Sequence, residues 1–180
     1  MKIPFLPKEL KEPMQNQTRQ QGFSLIELLI VVAIIGIIAA IAIPNLLASR
    51  RAANEGSAQS SIRILTSAEA TYQSTSGGGN YGDLAALGTA NLVDAALSGA
   101  VSSGTAPKSG YYYMVTKQDA SSGGAQARYT SSARPSVTSG VTQTGTRRFW
   151  SDETGVIKYD TTLTADMTTI GPSGGTAIGN

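Results

Sequence analysis

The residues that can do chemistry in this 180-residue chain are carboxylates, lysines, arginines and hydroxyls, because the sequence contains no histidine and no cysteine. Histidine is the usual catalytic base and metal ligand, and cysteine supplies disulfides, thiolate ligands and nucleophiles. No local motif gathers the acids around a nucleophile and a base, so the sequence predicts no catalytic residues, no metal site and no cofactor. The composition favours a structural or binding protein over an enzyme.

The charges are nearly balanced, with 14 Lys and Arg against 12 Asp and Glu and a formal net charge of +2. This balance gives no electrostatic footprint for nucleic acid, and no nucleic acid partner is expected. Arg147 and Arg148 beside Phe149 and Trp150 are the one place where stacking on bases is conceivable. Alternation along a strand pairs Arg147 with Phe149 and Arg148 with Trp150. The pattern favours one aromatic side chain in the core and two arginines that keep the strand soluble.

One acid lies in an unusual place. Glu27 is the fifth residue of an apolar stretch that begins at Phe23, and no other charge follows from Leu28 to Ser49. These 22 uncharged residues span about 33 Å as a helix, which is the thickness of a bilayer. A charge at the centre of a spanning helix costs roughly 2.5 to 3.5 kcal/mol. Glu27 therefore either lies at headgroup level in the first helical turn, where the helix dipole favours an acid, or pairs with a cation from another chain.

This segment resembles the N-terminus of type IV pilins and of the related pseudopilins of type II secretion. The matching residues are Gly22 followed by Phe23-Ser24-Leu25-Ile26-Glu27-Leu28, then the Ile/Val/Ala run, Gly36, and Pro44 before Asn45. The resemblance implies that a prepilin peptidase cleaves between Gly22 and Phe23 and methylates the new amine of Phe23. It also implies that Glu27 faces the Phe23 ammonium of a neighbouring subunit during assembly. Each charge is costly alone in a low-dielectric filament core, and the pair is tolerable together.

The same resemblance implies a location and a set of partners. The precursor would lie in the bacterial inner membrane with its N-terminus in the cytoplasm, and the assembled protein would be part of an extracellular pilus. Its partners would be other copies of the chain, the prepilin peptidase and the pilus assembly platform of the inner membrane. A secretory signal cleaved near Ala40-Ile41-Ala42 and a plain single-span anchor are the alternatives. Signal cores run roughly 7 to 15 residues without an internal acid, which disfavours the first.

The chain divides into five predicted segments. They are a cleaved leader at 1–22, a hydrophobic transmembrane and assembly helix at 23–50, an amphipathic helix continuing into the head at 51–76, a connecting loop at 77–109, and an antiparallel β head with a C-terminal loop at 110–180. Pro4, Pro7 and Pro13 prevent a helix in the leader. Met14 would begin a nine-residue leader, so residues 1–13 are predicted to reflect an upstream start.

A single long helix is predicted from Phe23 to Ser76, about 80 Å at 1.5 Å per residue. Apolar residues at spacings of three and four between Ile62 and Tyr72 give its later part a face that packs on the head. Gly36 costs about 1 kcal/mol and Pro44 about 3 kcal/mol relative to alanine inside a helix. Residues 36–44 are thus predicted to be the weakest section, and by the resemblance this section unwinds when subunits pack.

Four strands are predicted in the head, at Tyr111–Thr116, Ala127–Ser131, Arg147–Trp150 and Val156–Tyr159. Ser151–Gly155 forms a tight hairpin connection between the last two. Four strands in sequence predict an antiparallel meander packed on the apolar face of the long helix, an α+β arrangement that by resemblance is the pilin fold. Leucines between Leu84 and Leu97 are expected to anchor the connecting loop, or a short helix within it, onto the head.

The sequence thus favours the structural subunit of a type IV pilus. A pseudopilin of a type II secretion system is the alternative, since both families share the same N-terminus, and a membrane-anchored binding module or enzyme is the alternative of a different class. Calcium in the head would favour the pseudopilin. The acids that could include calcium ligands are Asp119, Asp152, Glu153, Asp160 and Asp166. They lie on polar loops, where acids are usually solvated, so no metal site is predicted.

Overall fold

The computed structural model describes residues 22–101, 106–162, 168, 170–172 and 174–178. The helices are α1 (Leu25–Ser74), α2 (Leu84–Thr89) and α3 (Ala95–Ser98). The strands are β1 (Tyr111–Gln118), β2 (Arg128–Pro135), β3 (Arg148–Asp152), β4 (Lys158–Asp160) and β5 (Thr176–Ala177). The chain forms two compact units, one ending at Ala40 and the other beginning at Ile41.

The N-terminal unit is helical from Leu25 onward, and its apolar side chains are exposed. An 18-residue window of α1 has a mean hydropathy of 3.1, and none of that window is buried within the chain. By length and composition, α1 is able to cross a membrane. The predicted apolar helix is confirmed.

The second unit, from Ile41, contains the remainder of α1, the two short helices and one antiparallel sheet with the order β1-β2-β3-β4-β5. The predicted meander is confirmed, with one strand more than the four expected. Gly174 and Gly175 adopt φ values of 103° and 82°, which only glycine adopts freely, and they lead into the two-residue strand β5 beside Lys158 and Tyr159. A fifth strand this short carries no periodicity that a sequence pattern can detect.

The second strand is longer than predicted, because it continues past Ser131 to Pro135. The residues Ser132, Ala133 and Arg134 have low strand propensity, but they pair with the tyrosine-rich strand β1 in the register Tyr113↔Ala133. Pairing and burial override the local preference at this point. The following proline is tolerated since it is the last residue of the strand.

The core lies between the head-facing side of α1 and one face of the sheet. Its α1 members are Ala58, Ile62, Leu65 and Ala68, and its sheet members are Tyr111, Tyr113, Val115, Tyr129, Ala133 and Phe149. Tyr72 is half-buried and packs against this core, as the spacing of the apolar residues predicted. The alternating burial of β1 places every second side chain in the core.

The segment predicted as a connecting loop contains two short helices, α2 and α3. Asp83 caps α2 by accepting a hydrogen bond from the Ala86 N–H at 2.7 Å, and Asp94 caps α3 through the Leu97 N–H at 2.6 Å. Both helices bury leucines in the core, at Leu87 and Leu97. The leucines identified in the sequence do anchor this segment.

Candidate assembly site

The N-terminal site is built on the first turn of α1. Ser24 and Glu27 have the S-x-x-E spacing of a capping box, and the Ser24 N–H donates to Glu27 Oε2 at 3.4 Å. Glu27 therefore lies in the first turn of the helix, where its negative charge also complements the helix dipole. The first turn was one of the two alternatives for Glu27, and its pairing with another chain stays a prediction. The role of Ser24, which the spacing alone indicates, was not predicted.

The bond between Gly22 and Phe23 lies just outside this helix. Both residues are exposed, with Phe23 87% exposed, and no atom lies within 4 Å of a Cβ built on Gly22. Within the described part of the chain, the Ser24 N–H is the one hydrogen-bond partner of Glu27. One long hydrogen bond leaves most of the acceptor capacity of a carboxylate unused.

The apolar surface of the N-terminal unit is continuous. Its exposed large residues are Phe23, Leu25, Ile26, Leu28, Leu29, Ile30, Val31, Val32, Ile34, Ile35, Ile37 and Ile38. Soluble monomers rarely expose contiguous apolar patches larger than a few hundred Å². A helix that is apolar on all sides is stable in lipid or among other helices, and not in water.

Gly36 and Pro44 both lie inside α1, and both are exposed. Pro44 has no N–H to donate, and near it the Asn45 side chain donates from Nδ2 to the Ile41 carbonyl at 3.1 Å. The side chain of Asn45 thus supplies a hydrogen bond in the turn that the proline weakens. Unwinding between residues 36 and 44 stays a prediction.

Comparison with known proteins bears on this segment. A family model described as the prokaryotic N-terminal methylation motif matches residues 17–43. The chain has a prepilin-type N-terminus. This match covers the Gly22–Phe23 bond, Glu27 and Gly36, so the resemblance found in the sequence is confirmed.

Several curated proteins are similar to the chain over limited lengths. The type IV major pilin protein PilA of Myxococcus xanthus is 46% identical over 54 residues, which are 30% of this chain and 24% of that protein. The type IV wide pilus major component PilA4 of Thermus thermophilus is 69% identical over 35 residues, or 19% of this chain and 27% of that protein. The type II secretion system core protein G of Escherichia coli is 35% identical over 60 residues, or 33% of this chain and 41% of that protein. The chain thus spans about a quarter to two fifths of the length of these relatives. No solved structure matches the chain.

Beyond the prepilin-type N-terminus, Glu55 on α1 holds the helix to the sheet. Its side chain is buried, and Oε1 accepts from the Thr146 N–H at 2.7 Å and from the Thr146 hydroxyl at 2.8 Å. Its Oε2 accepts from Arg147 Nε at 2.9 Å and Nη2 at 2.7 Å. Burial raises the pKa of Glu55, but the hydrogen bonds from Thr146 and the bidentate pairing with Arg147 outweigh it and hold the pKa below its usual value.

The predicted strand Arg147–Trp150 corresponds to β3, which begins one residue later at Arg148, and all four of its side chains have defined contacts. Phe149 joins the core that faces α1, and Trp150 is buried on the opposite face of the sheet. Gly175 packs so closely on the Trp150 ring that a Cβ at this glycine would clash with it. Both aromatic side chains are thus buried, where one was expected. Arg147 pairs with Glu55, and Arg148 donates from Nη2 to an Asp160 oxygen at 2.6 Å. Glu55 lies 92 residues before Arg147, so no local pattern could identify it as the partner, whereas Asp160 is the cross-strand neighbour of Arg148 in the hairpin of β3 and β4.

The acids considered for calcium have other partners where they are described. Asp119 pairs with Lys117 at 2.8 Å, Glu153 with Arg128 at 2.6 Å, and Asp160 with Arg148. Asp152 accepts from the Thr154 N–H at 3.0 Å, and Asp166 lies outside the described residues. Within the described ranges, no group of three or more acids is placed to hold a metal ion.

Proposed function

We propose that this chain is the structural subunit of a type IV pilus, made as a membrane precursor and assembled through its apolar helix. One observation carries the proposal: residues 17–43 match the methylation motif, and the same segment exposes an apolar helix with an under-used carboxylate in its first turn. Two curated relatives are components of type IV pili, which favours a pilus subunit.

Processing is the first step of the proposed function. A prepilin peptidase would cleave between Gly22 and Phe23 and transfer a methyl group to the amine of Phe23. Support comes from the exposure of both residues and from their position before the first turn of α1. In the precursor, residues 23–50 would lie in the inner membrane with the N-terminus in the cytoplasm.

Assembly would bury the apolar helix among the helices of neighbouring copies, on the assembly platform of the inner membrane and then in an extracellular filament. The Phe23 ammonium of one copy would meet Glu27 of the next and add a charged partner to the single Ser24 N–H that this carboxylate has among the described residues. Gly36 and Pro44 would provide the weak section that lets the helix adjust to its neighbours.

The N-terminus of the mature protein tests processing. Mass spectrometry of protein from cells is expected to find N-methyl-Phe23 as the first residue, and an intact Met1 or a start at Ile43 would overturn the proposal. Assembly is tested by shearing filaments from cells that express Glu27→Gln or the charge-conserving Glu27→Asp. We expect no filaments from Glu27→Gln and detectable filaments from Glu27→Asp. Normal filaments from Glu27→Gln would exclude the ion pair with Phe23.

A pseudopilin of a type II secretion system is the second candidate, because core protein G of such systems is also similar to the chain. The two candidates are separated by deleting the gene and measuring surface filaments and secreted proteins. Loss of filaments with normal secretion supports the pilus subunit, and loss of secretion with normal filaments supports the pseudopilin. A hydrolytic or transferase activity that depends on the head would instead favour a membrane-anchored enzyme.

A further inference from the structure

A second buried glutamate on α1 has far fewer partners than Glu55. The side chain of Glu69 is fully buried, and its Oε2 accepts a hydrogen bond from the Gly82 N–H at 2.9 Å. Its Oε1 is also buried, and no hydrogen-bond partner for it exists among the described residues. One N–H does not replace the hydration of two carboxylate oxygens, so ionised Glu69 is unfavourable in this position.

Two charged groups lie around Glu69. Asp83, the cap of α2, repels the ionised carboxylate, and Lys117 of β1 attracts it. Lys117 is itself engaged in an ion pair with Asp119 at 2.8 Å. The titratable side chains that also interact with Glu69 are Tyr81 and Tyr129, whose ring centroids lie 4.5 Å apart with the ring planes tilted by 50°. Burial is the largest influence, and it raises the pKa of Glu69 to about 7.

Glu69 holds the chain that leads from the end of α1 to the start of α2, here called the Gly77–Gly82 connection. Gly77 donates from its N–H to the Tyr72 carbonyl at 2.7 Å, and a Cβ on either Gly77 or Gly82 would press on the Tyr72 ring. Gly82 directly precedes Asp83, the cap of α2. The bond between Glu69 and Gly82 thus fastens the start of α2 to α1.

We propose that Glu69 is a proton-dependent latch: with its proton bound it holds the Gly77–Gly82 connection against α1, and with its proton lost it lets that connection open towards water. A carboxyl in the opened segment regains its ordinary pKa of about 4.5, whereas in the closed segment its pKa is about 7. Opening therefore becomes easier as the pH rises from 4.5 to 7 and changes little above that range. This proposal does not depend on the function proposed above.

The test is amide hydrogen exchange at Gly82, measured by NMR on the full chain in detergent micelles and divided by the intrinsic exchange rate at each pH. In the wild-type protein, we expect the protection of this amide to fall by on the order of 100-fold between pH 5 and pH 8. Glu69→Gln cannot ionise and is expected to show constant protection over the same range. Glu55→Gln, the matched control on the same helix face, is expected to keep the wild-type fall at Gly82.

Constant protection in the wild-type protein, or an equal fall in Glu69→Gln, would overturn the latch. A direct titration of the wild-type protein covers the case in which Glu69→Gln does not fold. The carboxyl carbon of Glu69 and the amide nitrogen of Gly82 are expected to shift with one common midpoint near pH 7. A Glu69 midpoint below pH 5, or a Gly82 shift with a different midpoint, would also contradict the proposal.

Discussion

Two regions of the same helix face bury a glutamate in opposite ways. Glu55 and Glu69 lie 14 residues apart on α1, which is about four helical turns, and both side chains are buried. Around Glu55, a hydroxyl, a backbone N–H and a bidentate guanidinium satisfy both oxygens, and the pKa is lowered. Around Glu69, one N–H serves one oxygen, and burial raises the pKa. Burial raises the pKa of both carboxyls, and the number of hydrogen-bond donors around each one decides whether its pKa ends below or above the usual value.

The difference divides the head into a fixed and an adjustable region. The four donors of Glu55 come from Thr146 and Arg147, next to β3, so its ionised form ties the helix to the sheet. The single donor of Glu69 comes from a glycine connection on the way to α2. A charged group with full partners adds rigidity, whereas an under-partnered one leaves the local structure sensitive to pH.

The largest expected effect on stability comes from removing the ion pair between Glu55 and Arg147. Arg147→Ala removes the bidentate partner and leaves the carboxylate buried, so the free energy of unfolding of the head should fall by about 2 to 4 kcal/mol. Because Arg147 is partly exposed, this loss of stability is smaller than the loss expected when one partner of a completely buried ion pair is removed. Urea unfolding of the full chain in micelles, followed by Trp150 fluorescence, measures it.

Arg63→Ala is the matched control, because Arg63 is an exposed arginine on the same helix. It is expected to change the unfolding free energy by less than about 0.5 kcal/mol. Equal effects of the two substitutions would show that the Glu55 pair contributes nothing particular to the head.

The second prediction is that replacing Glu69 stabilises the fold, whereas replacing Arg147 destabilises it. A raised pKa in the folded protein means that Glu69 weakens the fold as the pH rises from 4.5 to 7, with the full cost present above 7. Glu69→Gln should therefore be more stable than wild type by about 1 to 3 kcal/mol at pH 8, and it should lose this advantage at pH 4.5. Urea unfolding at the two pH values gives the comparison.

Glu55→Gln is expected to behave in the opposite way. Its lowered pKa means that the carboxylate stabilises the fold above pH 4.5 and that this contribution is lost as the pH falls through the folded-state value. The variant should then be less stable than wild type at pH 8. If Glu69→Gln were also less stable at pH 8, the two regions would not differ as described.

A third prediction concerns the glycines beside the two glutamates. At Gly82, an added Cβ would lie 3.2 Å from the Tyr72 ring and 3.3 Å from Leu87, so Gly82→Ala should cost about 1 to 2 kcal/mol and weaken the bond to Glu69. At Gly56, an added Cβ meets nothing within 4 Å, so Gly56→Ala should stabilise the helix by about 0.5 to 1 kcal/mol. Thermal unfolding of both variants checks the contrast, and destabilisation by Gly56→Ala would contradict it.

The sequence predicted the repeating features of this molecule and missed its long-range ones. The apolar helix, the head-facing residues Ile62, Leu65 and Ala68 and the antiparallel meander follow from periodicity, and the structure confirms them. The N-terminal motif was recognisable because its spacing is local. The pair between Glu55 and Arg147 joins residues 92 positions apart, and no local pattern encodes such a partner.

The burial of Glu69 and its hydrogen-bond donor could not be predicted from the sequence either. Its spacing on α1 places it on the buried face next to Ala68, yet a helical pattern gives no reason to expect an acid there. Its one donor is the N–H of Gly82 in an irregular connection, and backbone donors have no sequence signature. Strand β5 was missed for a similar reason, because two residues after a pair of glycines carry no alternation.

The smallest expected effect tests whether the environment of Glu69 is electrostatic as well as apolar. Asp83 is among the causes that raise the pKa of Glu69, and asparagine caps a helix about as well as aspartate. Asp83→Asn should therefore leave α2 intact and lower the Glu69 midpoint by less than about one pH unit, as read from its carboxyl carbon by NMR. Lys117→Gln removes an attractive charge and should move the midpoint upward instead. Shifts of the same sign in both variants would mean that the substitutions act on the packing around Glu69, and the carboxyl would then respond to burial alone.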